Sequence, residues 1–275
     1  MKVIGIDVGG TKISVGLVSQ NKLIKTLKAS TEAHKSQEQI IKNITRLIDQ
    51  LIDKEVKGIG IGVPAIVDLK KGVLYEAANI PSWKKVPLKR ILEQKYKIPV
   101  IINNDAKCFA LGEKKFGVGK GYNSLIGITM GTGFGAGIII DGKIYCGHNC
   151  GAGEFDRIPF KDKNIDHYCS GQFFSKYGFK GEELQNRAEL KDKKALKIYN
   201  EFGDNLGKAL TIMVCAIDPE LIVLGGSVSK AYPFFKDSML SSLRQNIYKR
   251  TFSRLKIKVS KNKEISVLGA ASLMY

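Results

Sequence analysis

Residues 2–19, "KVIGIDVGGTKISVGLVS", join two apolar runs through a pair of glycines. The first run is a continuous apolar stretch and the second alternates between apolar and polar residues, so each is typical of a strand. The Gly9–Gly10 pair predicts a turn between the two strands. A third strand is predicted at 22–30, after the turn signal at Gln20–Asn21. The chain therefore begins with three predicted strands.

The turn itself, "DVGGTK" at 7–12, offers more than a change of direction. Gly9 and Gly10 leave no side chains in the way, so the backbone N–H groups of the turn can face a phosphate. The hydroxyl of Thr11 can add a hydrogen bond, and Asp7 can hold a magnesium-bound water near that phosphate. The alternative is an ordinary hairpin turn, for which Gly-Gly is a common solution. The spacing fits neither a Walker A loop nor the GxGxxG pattern.

The rest of the chain repeats one order of elements. Each half begins with strands and continues with alternating strands and helices, which predicts two related α/β lobes with a cleft between them. Residues from about 145 to 190 are predicted to be irregular. The other predicted elements are a helix at 36–54, a strand at 57–65, a helix at 88–96, a strand at 98–105, a helix at 106–115, two or three strands within 123–144, a helix at 193–217, a strand at 220–226, a helix at 232–248, a strand at 254–260 and a short helix at 269–275.

The composition limits the classes of protein to consider. The 275 residues are 44% hydrophobic, enough for one large domain or two medium lobes, and no apolar run is long enough to span a bilayer. The formal net charge of +18 fits either solvated helix faces or the attraction of an anionic ligand, such as a nucleotide or a nucleic acid. Without a basic tail or a basic–aromatic repeat, we expect no nucleic-acid and no membrane partner. Five scattered cysteines predict no disulfide framework and a reducing cytoplasm.

Two further glycine-rich turns follow predicted strands in the second half. "MGTGFGAG" at 130–137 places Thr132 among glycines, as the first turn does with its own threonine. "LGGSVS" at 224–229 follows a buried strand, and Gly225 and Gly226 allow a flat ligand such as adenine to approach the backbone. Each turn alone is equally explained as a glycine-rich hairpin or loop. Three of them at strand ends, distributed over both halves, favour a nucleotide site.

The stretch "INNDAKCFA" at 102–110 ends a predicted strand and begins a helix. An aspartate at a helix start is usually a cap, which is one interpretation of Asp105. The other makes Asp105 a general base that accepts a proton from a substrate hydroxyl attacking a phosphate, with Asn104 holding a neighbouring hydroxyl. The stretch by itself leaves both interpretations open.

Seven motifs in order resemble the ROK family (repressors, open reading frames, kinases), and the resemblance covers nearly the whole chain. It implies an α/β protein with a two-lobed, actin-like and ribonuclease H-like ATPase fold. Residues 1–107 plus 268–275 are expected in the amino-terminal lobe and 108–267 in the carboxyl-terminal lobe, with the active site in the cleft between them. The motifs are "DVGGTK" at 7–12, "GVPAIVD" at 62–68, "NIPSW" at 79–83, "NND" at 103–105, "MGTGFGAG" at 130–137, "GAGEF" at 151–155 and "VLGGSVS" at 223–229.

The resemblance also implies a function. It implies an ATP-dependent sugar kinase that uses Mg²⁺, phosphorylates a hydroxyl of a hexose or an N-acetylhexosamine, and forms a homodimer. Asp105 matches the catalytic base, and Asn79, Asn104 and Glu154 match positions that hydrogen-bond the sugar. The residues that match the ATP- and phosphate-binding positions are Asp7, Gly9, Gly10, Thr11, Lys12, Gly131, Thr132, Gly133, Gly225 and Gly226.

The sequence departs from the family pattern around Glu154. Where the family has Glu-x-Gly-His, this chain has "EFDR", so Arg157 replaces a histidine that binds the sugar and a structural zinc. Arginine stays protonated and is a poor metal ligand, so we expect Arg157 to pair with an acid such as Asp156 or Asp166 instead. Asp166 falls where the family has a second sugar-contacting glutamate, whose side chain is one methylene longer than that of an aspartate.

The cysteine cluster that completes the family's zinc site is also missing. A different zinc site can be assembled from Cys146, His148, Cys150, His167 and Cys169, but its spacing is not that of a standard zinc knuckle. Free thiols are the preferred interpretation, and we expect no zinc.

Two other functions stay open at this stage. The altered "EFDR" region is compatible with a sugar-binding protein whose catalysis is impaired. The family also includes sugar-responsive regulators, but the first predicted strand begins at residue 2, so we expect no DNA-binding domain before it. The final helix at 269–275 is short, so its expected packing onto the amino-terminal lobe is thin.

Overall fold

In the computed structural model, which describes residues 1–275, the first three strands and their turns lie where the sequence predicts them. The strands, numbered in chain order, are β1 (Lys2–Val8), β2 (Lys12–Ser19), β3 (Lys22–Ser30), β4 (Val56–Val63), β5 (Ile66–Asp68), β6 (Val73–Tyr75), β7 (Lys85–Val86), β8 (Val100–Asn104), β9 (Leu125–Met130), β10 (Phe134–Ile140), β11 (Lys143–Tyr145), β12 (Pro159–Phe160), β13 (Lys163–Asn164), β14 (Leu221–Gly225) and β15 (Lys256–Val259).

Ten α-helices accompany the strands, and three short 3₁₀ turns lie at Phe155–Arg157, Val228–Ala231 and Ser272–Met274. The helices are α1 (Gln37–Asp49), α2 (Leu88–Tyr96), α3 (Asp105–Phe116), α4 (Ile165–Cys169), α5 (Gln172–Ser175), α6 (Gly181–Glu189), α7 (Lys193–Ile217), α8 (Tyr232–Asn246), α9 (Lys249–Arg254) and α10 (Ile265–Ala271). None of them is long and apolar enough to cross a membrane.

The chain divides into two compact units. The amino-terminal unit comprises Met1–Gly121, Gly137–Ala152 and Lys261–Tyr275, and the carboxyl-terminal unit comprises Tyr122–Ala136 and Gly153–Ser260. The assignment of residues 1–107 plus 268–275 and of 108–267 to the two lobes of the family stays a prediction.

The sheet of the amino-terminal unit has the strand order β3-β2-β1-β4-β8. β1, β2 and β3 are antiparallel neighbours, whereas β4 is parallel to both β1 and β8. Carboxyl ends of parallel strands meet at the same edge of a sheet, so the residues that end β1, β4 and β8 become neighbours there. This edge carries the first group of candidate site residues.

Helix α10 packs tightly on this unit, which corrects the expectation of thin packing. The helix begins at Ile265, four residues before the predicted start, and Ile265, Val267 and Leu268 are buried against the unit. Glycines let its backbone approach closely: a Cβ at Gly60 of β4 would overlap the carbonyl oxygen of Ala270, and a Cβ at Gly112 of α3 would overlap that of Ile265. Side chains at these glycines would force the helix away.

Helix α1 is shorter than the predicted helix at 36–54. Ser36 caps it through a hydrogen bond from the N–H of Gln39 to Ser36 Oγ (3.3 Å), as expected, but the helix ends at Asp49. Leu51 is buried in the turn that follows, so its apolar side chain fits the helical pattern without being helical. The apolar periodicity therefore predicts a helix that is about one turn too long at its carboxyl end.

The second five-stranded sheet has the order β11-β10-β9-β14-β15, in which β14 is parallel to β9 and to β15. Within the carboxyl-terminal unit, α7 packs along α8. Gly203 and Gly207 of α7 allow the two helices to approach each other closely, since a Cβ at either would clash with the backbone of α8 near Phe235 and Met239. The predicted bounds of α7 are confirmed: Asp192 caps its start and Asp218, in the left-handed conformation, ends it before Pro219.

The expectation of irregular structure from about 145 to 190 is wrong in part. The segment contains the strand pair β12–β13 and three helices, α4, α5 and α6. Helices α4 and α5 have five and four residues, too few to give a periodic signal. Their positions depend on tertiary contacts such as the packing of Phe173 and Phe174 on Phe202 of α7.

Candidate functional site

Polar residues line the carboxyl edge of the amino-terminal sheet. In the strand register Asp7 of β1 pairs with Gly62 of β4, and Gly62 pairs with Asn103 of β8. A Cβ at Gly62 would lie 3.2 Å from both Asp105 Cα and Cys108 Sγ, so a larger residue would push the start of α3 away. The sheet and α3 thus hold Asp7 and the "NND" stretch at one edge.

The "DVGGTK" turn is closed by its own backbone and fixed by Thr31. The N–H of Gly9 donates to the carbonyl oxygen of Lys12 (2.9 Å), and Thr31 Oγ1 donates to the carbonyl oxygen of Gly9 (2.6 Å). A Cβ at Gly10 would lie 2.7 Å from Asn79 Cβ, so Gly10 leaves room for Asn79, which has a left-handed backbone (φ 61°). The structure therefore brings a predicted phosphate-loop residue against a predicted sugar-binding residue.

Asn104, and not Asp105, caps α3. Asn104 Oδ1 accepts hydrogen bonds from the N–H groups of Ala106 (3.0 Å) and Lys107 (3.2 Å), and its amide donates to the carbonyl oxygen of Ala65 (3.5 Å). The interpretation of Asp105 as an ordinary cap is therefore wrong. Asp105 occupies the first turn of α3, where the helix dipole stabilises its negative charge.

Asp7 and Asp105 repel each other electrostatically. Burial, followed by the negative charge of Asp105, raises the pKa of Asp7 to about 7, and Lys12 partly offsets this. The same two carboxylates, together with its own burial, raise the pKa of Cys108 well above its usual value. Two acids held together in this way are typical of functional sites, because burying negative charge opposes folding.

The residues present fit a magnesium ion near Asp7. A divalent cation would relieve the repulsion between Asp7 and Asp105, and carboxylates are the ligands that Mg²⁺ prefers. No group of three or more His, Cys, Asp or Glu side chains is arranged to hold a metal through protein ligands alone. A magnesium ion here would therefore take most of its ligands from water and from phosphate groups.

The second glycine loop is braced by the segment around α4. Within the loop the N–H of Gly131 donates to the carbonyl oxygen of Gly133 (2.9 Å). From outside, the N–H of Gly171 donates to the carbonyl oxygen of Gly131 (2.8 Å), and Ser170 Oγ donates to that of Thr132 (3.4 Å). These bonds occupy the loop's carbonyl groups.

Asp166 belongs to the same brace. Its Oδ1 accepts a hydrogen bond from the N–H of Phe134 (2.7 Å), its Oδ2 accepts one from the Gln172 side chain, and a Cβ at Gly133 would lie 3.3 Å from Oδ1. The sequence indicated a sugar contact for Asp166, which stays a prediction. Its contact with the second glycine loop was missed because nothing in the spacing connects residues 166 and 134.

The third glycine loop lies beside the second. β9 and β14 are parallel neighbours, so Met130 and Gly225 end them at the same edge. Gly226 has φ 83°, and a Cβ there would overlap the backbone of Met130. Only glycine fits this approach. The second and third glycine loops are therefore in backbone contact.

Glu154 precedes the 3₁₀ turn Phe155–Arg157, in which Asp156 is half-buried and Arg157 is exposed. Burial, followed by the charge of Glu154, raises the pKa of Asp156 to about 6, while Arg157 lowers it. Arg157 therefore acts on Asp156 through its charge, in the direction that we expected. Its side chain is directed to solvent, so it does not form the buried ion pair that would replace a structural zinc.

Asn103 lies beside Cys146 and Cys150, which were considered from the sequence only as candidate zinc ligands. Asn103 Nδ2 donates to Cys146 Sγ (3.5 Å), and Cys150 Sγ donates to Asn103 Oδ1 (3.4 Å). All five cysteines are free, and Cys146 is half-buried whereas Cys150 is buried. In the sequence analysis the first asparagine of the "NND" motif received no role and was not connected with the two cysteines.

The mixed α/β fold closely matches that of the ROK sugar kinases, which is an actin-like ATPase fold. The structure is similar to a ROK family glucokinase from Streptomyces griseus in complex with glucose and AMPPNP, with a TM-score of 0.88, 28% identity and coverage of 99% of each chain. The model of the ROK family matches residues 3–275, and the chain belongs to this family.

Relatives in the family have different functions. The glucokinase of Thermotoga maritima is 30% identical over 264 residues, covering 84% of this chain and 83% of that protein. The xylose repressor of Caldicellulosiruptor bescii is 31% identical over 320 residues, covering 99% of this chain and 77% of that protein. Because kinases and a repressor are similarly related, function has to be argued from the site.

Proposed function

We propose that this protein is an ATP-dependent sugar kinase that transfers the γ-phosphate of ATP to a hydroxyl of a hexose or an N-acetylhexosamine. The kinase relatives support the reaction type, and the nucleotide analogue in the Streptomyces griseus glucokinase supports ATP as the donor. The proposed residues are those of this chain that match the family's motifs.

One observation carries the proposal: Asn104 caps α3 and leaves Asp105 at the start of the helix, in the electrostatic field of Asp7. Asp105 is the proposed general base. It accepts the proton of the attacking hydroxyl as the oxygen forms its bond to phosphorus and the bond to the ADP leaving oxygen breaks. The carboxylates of Asp7 and Asp105 are close enough to repel each other.

The phosphate chain of ATP is assigned to the first two glycine loops, Gly9–Lys12 and Gly131–Gly133, and the adenosine to Gly225 and Gly226. Exposed backbone N–H groups and the hydroxyls of Thr11 and Thr132 suit phosphate oxygens. A magnesium ion held near Asp7 would neutralise phosphate charge. Lys12, the lysine of the first loop, adds positive charge near Asp7.

The sugar is assigned to Asn79, Asn104, Glu154 and Asp166. Carboxylates and amides accept and donate hydrogen bonds to neighbouring hydroxyls, which suits a hexose. Asn104 and Asp166 already bind backbone groups, so each has fewer atoms left for a ligand than a solvated side chain has. Homodimer formation is part of the proposal only through the family resemblance.

The test is an ATP-consumption assay over a panel of hexoses, N-acetylhexosamines and pentoses, with Asp105→Asn as the diagnostic variant. Loss of a general base typically costs about 10²- to 10⁴-fold in rate. We expect that loss with an unchanged circular-dichroism spectrum and retained ATP binding. Asp68→Asn is the control, at a half-buried carboxylate that ends β5 and accepts the N–H groups of Lys70 and Lys71. Full activity in Asp105→Asn would refute the assignment of the base.

A sugar-binding protein without catalysis is the second candidate. The "EFDR" sequence in place of Glu-x-Gly-His favours it, as does the similarity to a xylose repressor. The same panel separates the two functions: sugar binding measured by calorimetry, with no ADP formed from any sugar, would support the second candidate and reject the first.

A further inference from the structure

Cys146 and Cys150 approach each other at the side chain of Asn103. Both sulfurs are within hydrogen-bond distance of Asn103 Oδ1, Cys150 at 3.4 Å and Cys146 at 3.9 Å, and the two thiols also hydrogen-bond to each other. Three side chains from two distant parts of the sequence therefore form one polar cluster. Neither sulfur takes part in the proposed transfer of phosphate.

The backbone of residues 146–152 brings the two cysteines together. The N–H of Ala152 donates to the carbonyl oxygen of Cys146 (3.1 Å), which closes the loop. Gly147 (φ 70°) and Cys150 (φ 59°) both have left-handed conformations, so the chain turns sharply between them. A left-handed cysteine is uncommon, because only glycine, asparagine and aspartate adopt this region readily.

The surroundings give the two thiols different reactivity. The hydrogen bond from Cys150, then that from Asn103 and the positive charge of Lys107, lower the pKa of Cys146 to about 6, against the effect of burial. The same hydrogen bond raises the pKa of Cys150. Cys146 is half-buried and thus reachable, whereas Cys150 is 1% exposed. A reachable thiolate beside a second, protonated thiol is the arrangement of redox-active cysteines.

We propose that Cys146 and Cys150 form a peroxide-reactive dithiol site, with Cys146 as the nucleophile and Cys150 as the resolving thiol. The Cys146 thiolate attacks one oxygen of hydrogen peroxide, the O–O bond breaks, and the products are Cys146 sulfenic acid and, after protonation, water. The Cys150 sulfur then attacks the Cys146 sulfur, the S–OH bond breaks, and the proton of Cys150 leaves with the hydroxide as a second water. One peroxide is reduced and two thiols are oxidised to a disulfide.

The disulfide would change the environment of Asn103. A disulfide has no S–H group, so Asn103 Oδ1 would lose its donor from Cys150 and keep the N–H of Asn104 (2.8 Å). Asn103 directly precedes the cap and the base, Asn104 and Asp105. We therefore expect oxidation to reduce the rate of phosphate transfer, and this consequence alone rests on the proposed function.

The experiment treats the full chain with a slight excess of hydrogen peroxide, blocks remaining thiols and maps peptides by mass spectrometry. The expected result is a linked Cys146–Cys150 peptide pair with the loss of two hydrogens, about 2 Da, reversed by dithiothreitol. Cys215→Ser, which removes an exposed cysteine, should behave as the wild type. In Cys150→Ser, a sulfenic acid at Cys146 should be trapped by dimedone, and Cys146→Ser should yield neither product.

Two outcomes overturn the proposal: peroxide that modifies Cys215 before Cys146, or oxidation of Cys146 in the wild type without the linked pair. A circular-dichroism spectrum of each serine variant excludes unfolding as the reason for a missing product. Kinase activity is measured separately on the oxidised and the reduced protein. A linked pair with no change in activity leaves the dithiol site established and counts only against its effect on catalysis. A linked pair in a protein without any kinase activity, even when reduced, also leaves the dithiol site established and counts against the proposed function.

Discussion

Replacing Asp7 by asparagine should stabilise the amino-terminal unit while it impairs the proposed activity. Asp7 is a half-buried carboxylate that repels Asp105, and its pKa is raised from 3.8 to about 7. A raised pKa means that the folded state binds the proton more tightly than the unfolded state does. The ionised form therefore opposes folding, and asparagine, which cannot ionise, removes that opposition.

The size of the effect follows from the two pKa values. Between 3.8 and about 7 the folded protein carries more protons than the unfolded chain, so the free energy of unfolding falls as pH rises through this window and then levels off. The ionisation of Asp7 costs about 4 kcal/mol at pH 8.5 and about 2 kcal/mol at pH 5.5. The stability gained by Asp7→Asn should therefore be about 2 kcal/mol larger at pH 8.5 than at pH 5.5.

Urea unfolding at pH 5.5 and pH 8.5 measures this difference, and Trp83 supplies the signal. It is the single tryptophan of the chain, lies fully buried in the amino-terminal unit and reports on that unit alone. Asp53→Asn is the control: Asp53 pairs with Lys2 on the surface (3.0 Å), which lowers its pKa, so no gain is expected. A gain independent of pH, or a loss of stability at pH 8.5, would refute the assignment of an ionised, unfavourable Asp7.

Two further predictions concern the packing of loops and helices. Asp166→Ala removes the acceptor for the N–H of Phe134, so the KM for ATP should rise about tenfold or more. The KM for sugar should rise as well, because Asp166 is also assigned to the sugar. Initial-rate kinetics measure both, and an unchanged KM for ATP would contradict a role in bracing the second glycine loop. Gly60→Ala forces a Cβ against the backbone of α10 and should cost about 3 kcal/mol, read from the Trp83 midpoint, whereas Gly151→Ala, with open space around it, should cost almost nothing.

Local pattern was enough for much of the fold. β1, β2 and β3 were predicted to the residue, because glycine or left-handed turn residues separate three runs with clear apolar patterns. The same holds for α7, since Asp192 caps its start and Pro219 follows its end. Where the sequence contains both an apolar period and the residues that begin and end an element, it predicts the bounds of that element.

The elements that the sequence missed depend on contacts between distant residues. Helix α10 begins before its predicted start because glycines in β4 and α3 make room for it, and none of these lies near it in sequence. The brace on the second glycine loop joins Asp166 to Phe134 by a single hydrogen bond. Such contacts have no period and no local motif, so they become visible only when the chain is folded.

The three letters "NND" contain three different structural roles that no pattern separates. Asn103 lies in β8, and its side chain hydrogen-bonds to two thiols. Asn104 caps the helix, and Asp105 begins it. The cap determines the rest, because the hydrogen bonds of Asn104 to the first turn fix the backbone on which Asp105 is carried. The proposed chemistry of Asp105 therefore depends on an asparagine that sequence reasoning had assigned only to the sugar.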